Sequence, residues 1–569
     1  MMKLYVWMLV GCMLFGSMDS AYTMPAKSAP ITVVNSDGSV LTIVLRGDEN
    51  CHFYTTLDGV PVVQEEGGDY RLAPELADSI QARWKEKRTR RNERRMAKMQ
   101  ERRAKARQGA PMAAAYQGKK RGIVILANFS NLQMKSANSR EAFLRQFNEV
   151  GYHEDDHYGS VHDYFYDQSY GRLDLEFDVF GPVTVSQKYG HYGANNAKGE
   201  DLYVAELAAE VCQLADEQYD ITWSNYDWDG DREVDQVYII YAGYGENNGA
   251  PNNTVWPHEW TLSEGRQYYD GNGSIKLGGC IIDTYAMSCE LRGTRGSTMN
   301  GIGTACHEFS HCLGFPDFYD TSYSGGFGMN SWDLMDVGSY NGKKLCGECP
   351  SGFTAYERWY AGWLTPTELD SPATITDMPA LQDTAVAYII YNNGNKNEYF
   401  MLENRQNRGW FRYTYNYTSC HGLLVTHVDY NARAWRNNEL NNTANHQRMS
   451  IIPAGGEYGT YNYGAYEITQ YTYMSHLFPG WYNVTELTNA SHSSAGGKLF
   501  NQNTDGSYYM NKPITEIEEK NGLISFKFMG GKTAVKLEDI TNLIGLYLST
   551  NGLVKLSHIT ALIDRYLEN

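Results

Sequence analysis

Cysteine is thin in this sequence: ten residues among 569, widely scattered, which excludes the dense disulfide framework of a small secreted scaffold. Cys346 and Cys349 form the only Cys-x-x-Cys pair, "CGEC". With no second pair to complete a zinc ribbon, a local disulfide or two free thiols is the expectation there. Long apolar runs are also missing, and after the first twenty or so residues nothing is apolar enough to span a bilayer. The exception at the start is Lys3, then "LYVWMLVGCMLF", then small residues near Ser20 and Ala21. That order matches a secretory signal peptide, so residues 1–21 are read as a signal and the protein as secreted or held at the cell surface. Positive charge is scarce outside one block. The formal charge is −18, yet Arg83 to Arg107 carries thirteen Lys or Arg against three Glu, leaving the remainder at −28. The block has no aromatic interleaving beyond Trp84, which argues against a nucleic-acid arm. It reads as an exposed, helix-prone connector open to trypsin-like cleavage.

A chain of 569 residues is too long for one ordinary core, so several units are expected. Residues 31–72 alternate apolar and polar between turn signals and suggest a small β-rich unit, making 22–115 a pro-segment that ends in the basic connector. A small domain, a cleavable linker and a large domain stand in the order of a zymogen, which calls for an activating protease. "RGIVILANFS" reads as a buried strand opening a domain over 116–370. From 371 to 531, short alternating runs such as "EYFMLENRQ" and "GLLVTHVDY" suggest a β-sandwich. In the last segment, 532–569, "VKLEDITNLIGLYL" and "VKLSHITALIDRYL" repeat at a spacing of nineteen and predict two short packed helices. The expected class is therefore α+β and multidomain.

The stretch "TACHEFSHCLGFPDFYD" carries the chemistry. Residues four apart on a helix differ by about 40° around its axis, so His307 and His311 project from one face and can share an ion. Glu308 lies about 100° round, placed to reach a coordinated water as general base. Gly314 would end the helix in a left-handed turn and swing the chain back, where Asp317 or a neighbour donates a third ligand. The bare H-E-x-x-H pattern also occurs on ordinary helices. Here Gly314 and Asp317 extend it, and Met335 follows eighteen residues after Asp317, where metzincin-type enzymes place a methionine turn.

With "GMNSWDLMDVGSY" behind it, this stretch resembles the immune-inhibitor-A-like family of secreted zinc metallopeptidases. The likeness runs from about 118 to 530 through "RGIVILANFSN", "GSVHDYFYDQSYGRLDLEFDVFGPV", "DWDGDREVDQVYIIYAGYGEN", "TVWPHEW", "AYERWYAGWL", "EYFMLENRQNRGW", "GLLVTHVDYN" and "HQRMSIIPA". It implies a metzincin-like zinc endopeptidase made with a signal and a pro-segment and acting on protein or peptide substrates. By the resemblance His307 and His311 are zinc ligands and Glu308 is the base. Asp317 stands where the commonest pattern has a third histidine, and Glu357 in "AYERWY" is the alternative third ligand. Tyr340 is a candidate to stabilise the oxyanion.

Other features suggest accessory roles. Asp227, Asp229, Asp231, Glu233 and Asp235 alternate in "DWDGDREVD" around Gly230, a calcium-like crowding of oxygens that lacks the distal glutamate of an EF-hand. In "LRGDENCHF", Asp48 is a candidate latency ligand that would displace the catalytic water, with the Cys51 thiolate as the other option and a plain hairpin turn as the simplest. Glu403, His427 and Asp429 could form a second metal site or simply a polar sheet surface. The terminal repeat resembles a dockerin-like module without its acidic calcium loop, "STNGLVKLS" standing in that place, which leaves a helical hairpin for an attachment partner. The rival reading of the whole chain is a non-catalytic secreted or surface protein whose β-rich C-terminal half binds glycan or host protein.

Overall fold

The computed structural model describes residues 30–48, 51–65, 67–77, 79–80, 116–195, 201–265, 273–322, 326–414, 420–455, 475–491, 497–531 and 537–549, with Leu556, Ile559, Thr560 and Ile563 beyond. The signal-like start and the basic connector lie outside the described residues. Where turn signals punctuate residues 31–72, the chain forms an antiparallel meander of β1 (Ile31–Val34), β2 (Val40–Asp48), β3 (Cys51–Thr56), β4 (Pro61–Gln64) and β5 (Tyr70–Leu72). Its inner positions, Ile43 to Leu45 and Val62, are buried.

The central sheet follows from "RGIVILANFS". β6 (Gly118–Asn128) pairs in parallel with β7 (Leu173–Thr184) and β8 (Val237–Tyr241). After the edge strand β9 (His258–Thr261) and a hairpin of β10 (Ile275–Leu277) and β11 (Cys280–Ile282), β12 (Thr284–Cys289) joins β8 in parallel and β9 antiparallel. The order is β7-β6-β8-β12-β9. A strand buried on both faces has no polar side, and β6 accordingly reads as a continuous apolar run. Val124 and Leu126 enter one apolar cluster with α1 (Arg140–Asn148), α2 (Val161–Gln168) and α4 (Gly303–Cys312). Ile123, Ile125 and Ala127 enter another with α3 (Val204–Gln218). Capping fixes α2, where Ser160 and Asp163 exchange side-chain and backbone hydrogen bonds.

After α5 (Ala355–Tyr360) come two sheets. β13 (Thr367–Glu368), β15 (Tyr388–Tyr391), β16 (Glu398–Arg405), β17 (Gly422–Asp429) and β18 (Met449–Ile451) form one. β14 (Ala373–Met378), β19 (Ile514–Lys520) and β20 (Leu523–Phe528) form the other. Phe400, Leu402, Leu423 and Val425 meet Ile517, Ile524 and Phe526 in one cluster between the sheets. The alternate residues Tyr399, Met401, Leu424 and Val428 join the cluster that contains Phe309 of α4. This face of the sheet therefore joins the same apolar cluster as the helix carrying the two histidines, with α5 lying on β16, and burial on both faces explains its apolar strands. α6 (Leu537–Ser549) matches the first terminal repeat, and most of the second lies outside the described residues. Among the described residues no helix is long and apolar enough to cross a membrane.

His157 makes one acid weakness of this core explicit. It is buried, its Nδ1 2.6 Å from the Glu154 carbonyl and its Nε2 3.1 Å from the Gln146 amide nitrogen, and burial pushes its pKa down to about 4. A neutral folded imidazole and an unfolded one that protonates at about 6.5 give stability that is present above pH 6.5 and lost as pH falls toward 4. The His157→Gln variant is expected to lose on the order of 2 kcal/mol less stability than the parent between pH 7.5 and 5. Urea unfolding of both at the two pH values checks this, and equal losses would contradict it.

Candidate metal centre

The helix α4 holds His307, Glu308 and His311, all buried. It begins without a side-chain cap. Its first amide, on Gly303, instead donates to the Gly347 carbonyl at 3.0 Å, which brings the "CGEC" loop against the helix start. A Cβ on Gly303 would lie 1.7 Å from the Ser339 carbonyl oxygen, so only glycine allows this approach. Cys346 and Cys349 are free thiols; the loop serves the helix through its backbone. At the other end Gly314 adopts φ +87, the left-handed turn expected from sequence, and directs the Phe315 carbonyl to accept from His311 Nδ1 at 2.7 Å.

That last contact and its counterpart define the chemistry. His307 Nδ1 donates to the Leu334 carbonyl at 2.9 Å, and carbonyls only accept, so in both neutral rings Nδ1 carries the proton. Both Nε2 lone pairs then face one place. Asp317 Oδ1 is 3.2 Å from His307 Nε2 and 3.5 Å from His311 Nε2, and the rings lie 4.8 Å apart. The two donor separations, 3.2 and 3.5 Å, are close to the ~3.4 Å edge of a tetrahedron built on bonds of about 2.1 Å to zinc. Three buried acceptors that close repel unless positive charge lies between them. Burial opposes a proton on His307, yet Asp317 and Glu308 carry its pKa up to about 9. Burial likewise opposes charge on Asp317, and the two imidazoles hold its carboxyl well below the usual range. The donor set therefore fits zinc, with one histidine replaced by a carboxylate.

Asp317 is aimed by a residue the sequence reading missed. Asn438, 121 positions downstream, accepts from the Asp317 amide at 2.7 Å and donates to Asp317 Oδ2 at 2.5 Å. It closes one carboxylate oxygen and leaves Oδ1 toward the histidines. Asn438 takes φ +54, a left-handed conformation that asparagine tolerates, but nothing in the local sequence pairs it with Asp317. Met335 lies fully buried in the turn whose Leu334 carbonyl holds His307, and its own carbonyl accepts from the Phe318 amide at 2.7 Å. Tyr340 is buried, with its hydroxyl accepting from the Asn247 amide at 2.9 Å. Burial pushes its pKa far up, so it stays a neutral phenol with a proton to donate.

Several expectations need correction. Glu357 is not grouped with His307, His311 and Asp317: it is the third residue of α5, where its Oε2 accepts from the Thr354 amide at 2.8 Å. Burial and the Asp333 carboxylate raise its pKa well above the usual range, a poor state for a ligand. "TAYE" is a capping box, a signal present in the sequence. Asp227, Asp229 and Asp231 do come together, with ligand oxygens within 4.8 Å of one another. Asp235 is not part of that group, since its buried carboxylate accepts from the Trp228 amide at 2.6 Å as the chain enters β8. Glu403, His427 and Asp429 form no joint site: Glu403 binds the Ala355 amide and Arg405, His427 pairs with Glu398, and Asp429 with His446 and Arg448. Asp48 closes β2, and its side chain, like that of Cys51, lies outside the described residues.

Comparison with known proteins converges on the same segment. Residues 136–363 match the family model described as the immune inhibitor A peptidase M6 catalytic domain. Immune inhibitor A of Bacillus thuringiensis subsp. alesti is 26% identical over 234 residues, covering 36% of this chain and 33% of that protein. Pre-pro-metalloprotease PrtV of Vibrio cholerae serotype O1 strain M66-2 is 27% identical over 220 residues, covering 35% of this chain and 23% of that protein. The matched region thus spans about a third of the first relative and about a quarter of the second.

If Asn438 holds Asp317 in place, Asn438→Ala should weaken zinc binding by about 10–100-fold, the usual effect of removing such a supporting hydrogen bond. Competition against a chromogenic chelator measures this; unchanged affinity would remove Asn438 from the site.

Proposed function

We propose that this chain, which carries an immune inhibitor A peptidase M6 catalytic domain across residues 136–363, is a secreted zinc-dependent endopeptidase made as a zymogen. The observation that carries the reading is the convergence of both Nε2 lone pairs and Asp317 Oδ1 beside Glu308, inside the matched segment. Zinc held there supplies Lewis acidity, polarising a scissile carbonyl and lowering the pKa of the attacking water. Glu308 takes the proton released in that attack and passes it to the departing amine. Tyr340, anchored by Asn247, offers its hydroxyl to the oxyanion. The Leu334 carbonyl, in the turn that holds Met335, fixes the His307 ring so that no reorientation accompanies the reaction.

The domain layout belongs to the same proposal: signal 1–21, pro-segment 22–115, peptidase 116–370, β-sandwich 371–531 and terminal helical repeat 532–569. The cluster between the two C-terminal sheets supports the sandwich, and the meander ahead of the basic block supports a pro-segment. A relative named as a pre-pro-metalloprotease is consistent with activation by cleavage. Calcium at Asp227, Asp229 and Asp231 is a subsidiary proposal, supported by their grouping alone. Secretion, an activating protease acting in the basic block and a partner for the terminal repeat complete the reading.

Casein hydrolysis by the connector-cleaved protein tests it. Glu308→Ala should lose two to four orders of magnitude in rate, the range for a general base, while retaining its zinc. Equal hydrolysis by parent and variant would exclude the mechanism.

A further inference from the structure

The N-terminal meander meets the 116–370 region at a second cluster of metal-competent side chains. His52 on β3, Asp201 just before α3 and Glu246 after β8 each present a ligand atom, all within 4.8 Å of one another. His52 and Glu246 are 5% and 1% exposed. The His52 ring stacks on Trp256 at 4.3 Å and 14°, which covers one face of the cluster. The Trp256 amide donates to Asp201 Oδ2 at 3.2 Å, and Leu45 packs against Trp256 beside them.

The protonation pattern within the cluster points to a cation. The Asn195 amide nitrogen donates to the Asn252 carbonyl at 2.8 Å, which fixes which end of that side chain is NH2. The same nitrogen stands 3.4 Å from His52 Nε2, so Nε2 offers a lone pair and not an N–H. Yet Glu246 Oε2 is only 3.3 Å from that Nε2, and no hydrogen bond reaches this buried oxygen among the described residues. A lone pair and the buried Glu246 carboxylate oxygen are held edge to edge, with the half-buried Asp201 carboxylate alongside. Such an arrangement is costly without a shared positive charge. The 3.3 Å separation also matches the ~3.4 Å ligand edge of a tetrahedral zinc ion.

We propose that His52, Asp201 and Glu246 bind a second divalent transition cation, zinc by donor set, that fastens the N-terminal sheet to the peptidase region. One imidazole and two carboxylates complete a neutral site with water in the fourth position. Its place gives it a consequence at the first centre. Glu246 precedes Asn247, whose amide holds Tyr340, so the cation anchors the loop that positions the phenol as well as the sheet. The N-terminal sheet then stays attached after the basic block is cut, for as long as this cation is held.

The full chain carrying Glu308→Gln, which suppresses self-cleavage, is purified, dialysed and assayed for zinc by elemental mass spectrometry. Two equivalents per chain are expected, falling to one in His52→Asn and in Glu246→Gln, and also to one in His311→Ala. A single equivalent in the background protein that His311→Ala removes overturns the proposal, as does retention of two in both His52→Asn and Glu246→Gln. Glu246→Gln keeps the shape of the side chain and decides the matter should His52→Asn not fold, and the background count stands without either. His311→Ala reports on the first centre alone, so failure of the second site and failure of the peptidase reading give different patterns.

Discussion

Everything in the functional account depends on three buried acceptors forced to share one small volume. Two imidazole lone pairs and Asp317 Oδ1 lie 3.2 and 3.5 Å apart where no water-like dielectric screens them. The arrangement is tolerable only around positive charge, and the tendency of His307 to hold a proton up to about pH 9 shows the same demand. Zinc meets it with the bond lengths the separations imply. Glu308 is one residue round the helix from His307, so the base of the proposed chemistry stands on the same rigid element.

The rest of the molecule keeps those acceptors from relaxing apart. The Gly347 carbonyl and the glycine-only approach at Gly303 fix the start of α4, and the Leu334 and Phe315 carbonyls fix the two rings. The C-terminal half contributes as directly as the peptidase segment. Asn438 aims Asp317, while Arg405 on β16 pairs with Glu403 and donates to the Trp332 carbonyl at 3.1 Å, three residues before Met335. Glu403 in turn accepts from the first amide of α5 at 2.6 Å. Glu403 and Arg405 are buried and paired with each other, while Arg405 Nη2 has no hydrogen-bond partner among the described residues, so the pairing offsets much but not all of the desolvation it costs.

Local periodicity made much of this visible in advance. The spacing of His307, Glu308 and His311, the turn at Gly314 and the continuous apolar run of β6 are short-range patterns, and each has a direct structural counterpart. What could not be read arises from contacts between distant segments. Asn438 sits 121 residues from its partner, and the Gly347 carbonyl caps a helix 44 residues earlier through a backbone group that carries no sequence signal. Two misreadings were avoidable: Thr354 and Glu357 spell a capping box, and Asp235 belongs to the strand that follows the acidic turn. The His52 cluster joins segments 149 and 45 positions apart, and only the folded chain brings them together.

The most direct measurement is a zinc-edge anomalous difference map from crystals of the full chain. The account predicts a peak bonded to His307 Nε2, His311 Nε2 and an Asp317 carboxylate oxygen at about 2.0–2.2 Å. A map with no density among those three groups, or with zinc ligated there by other side chains, would contradict it.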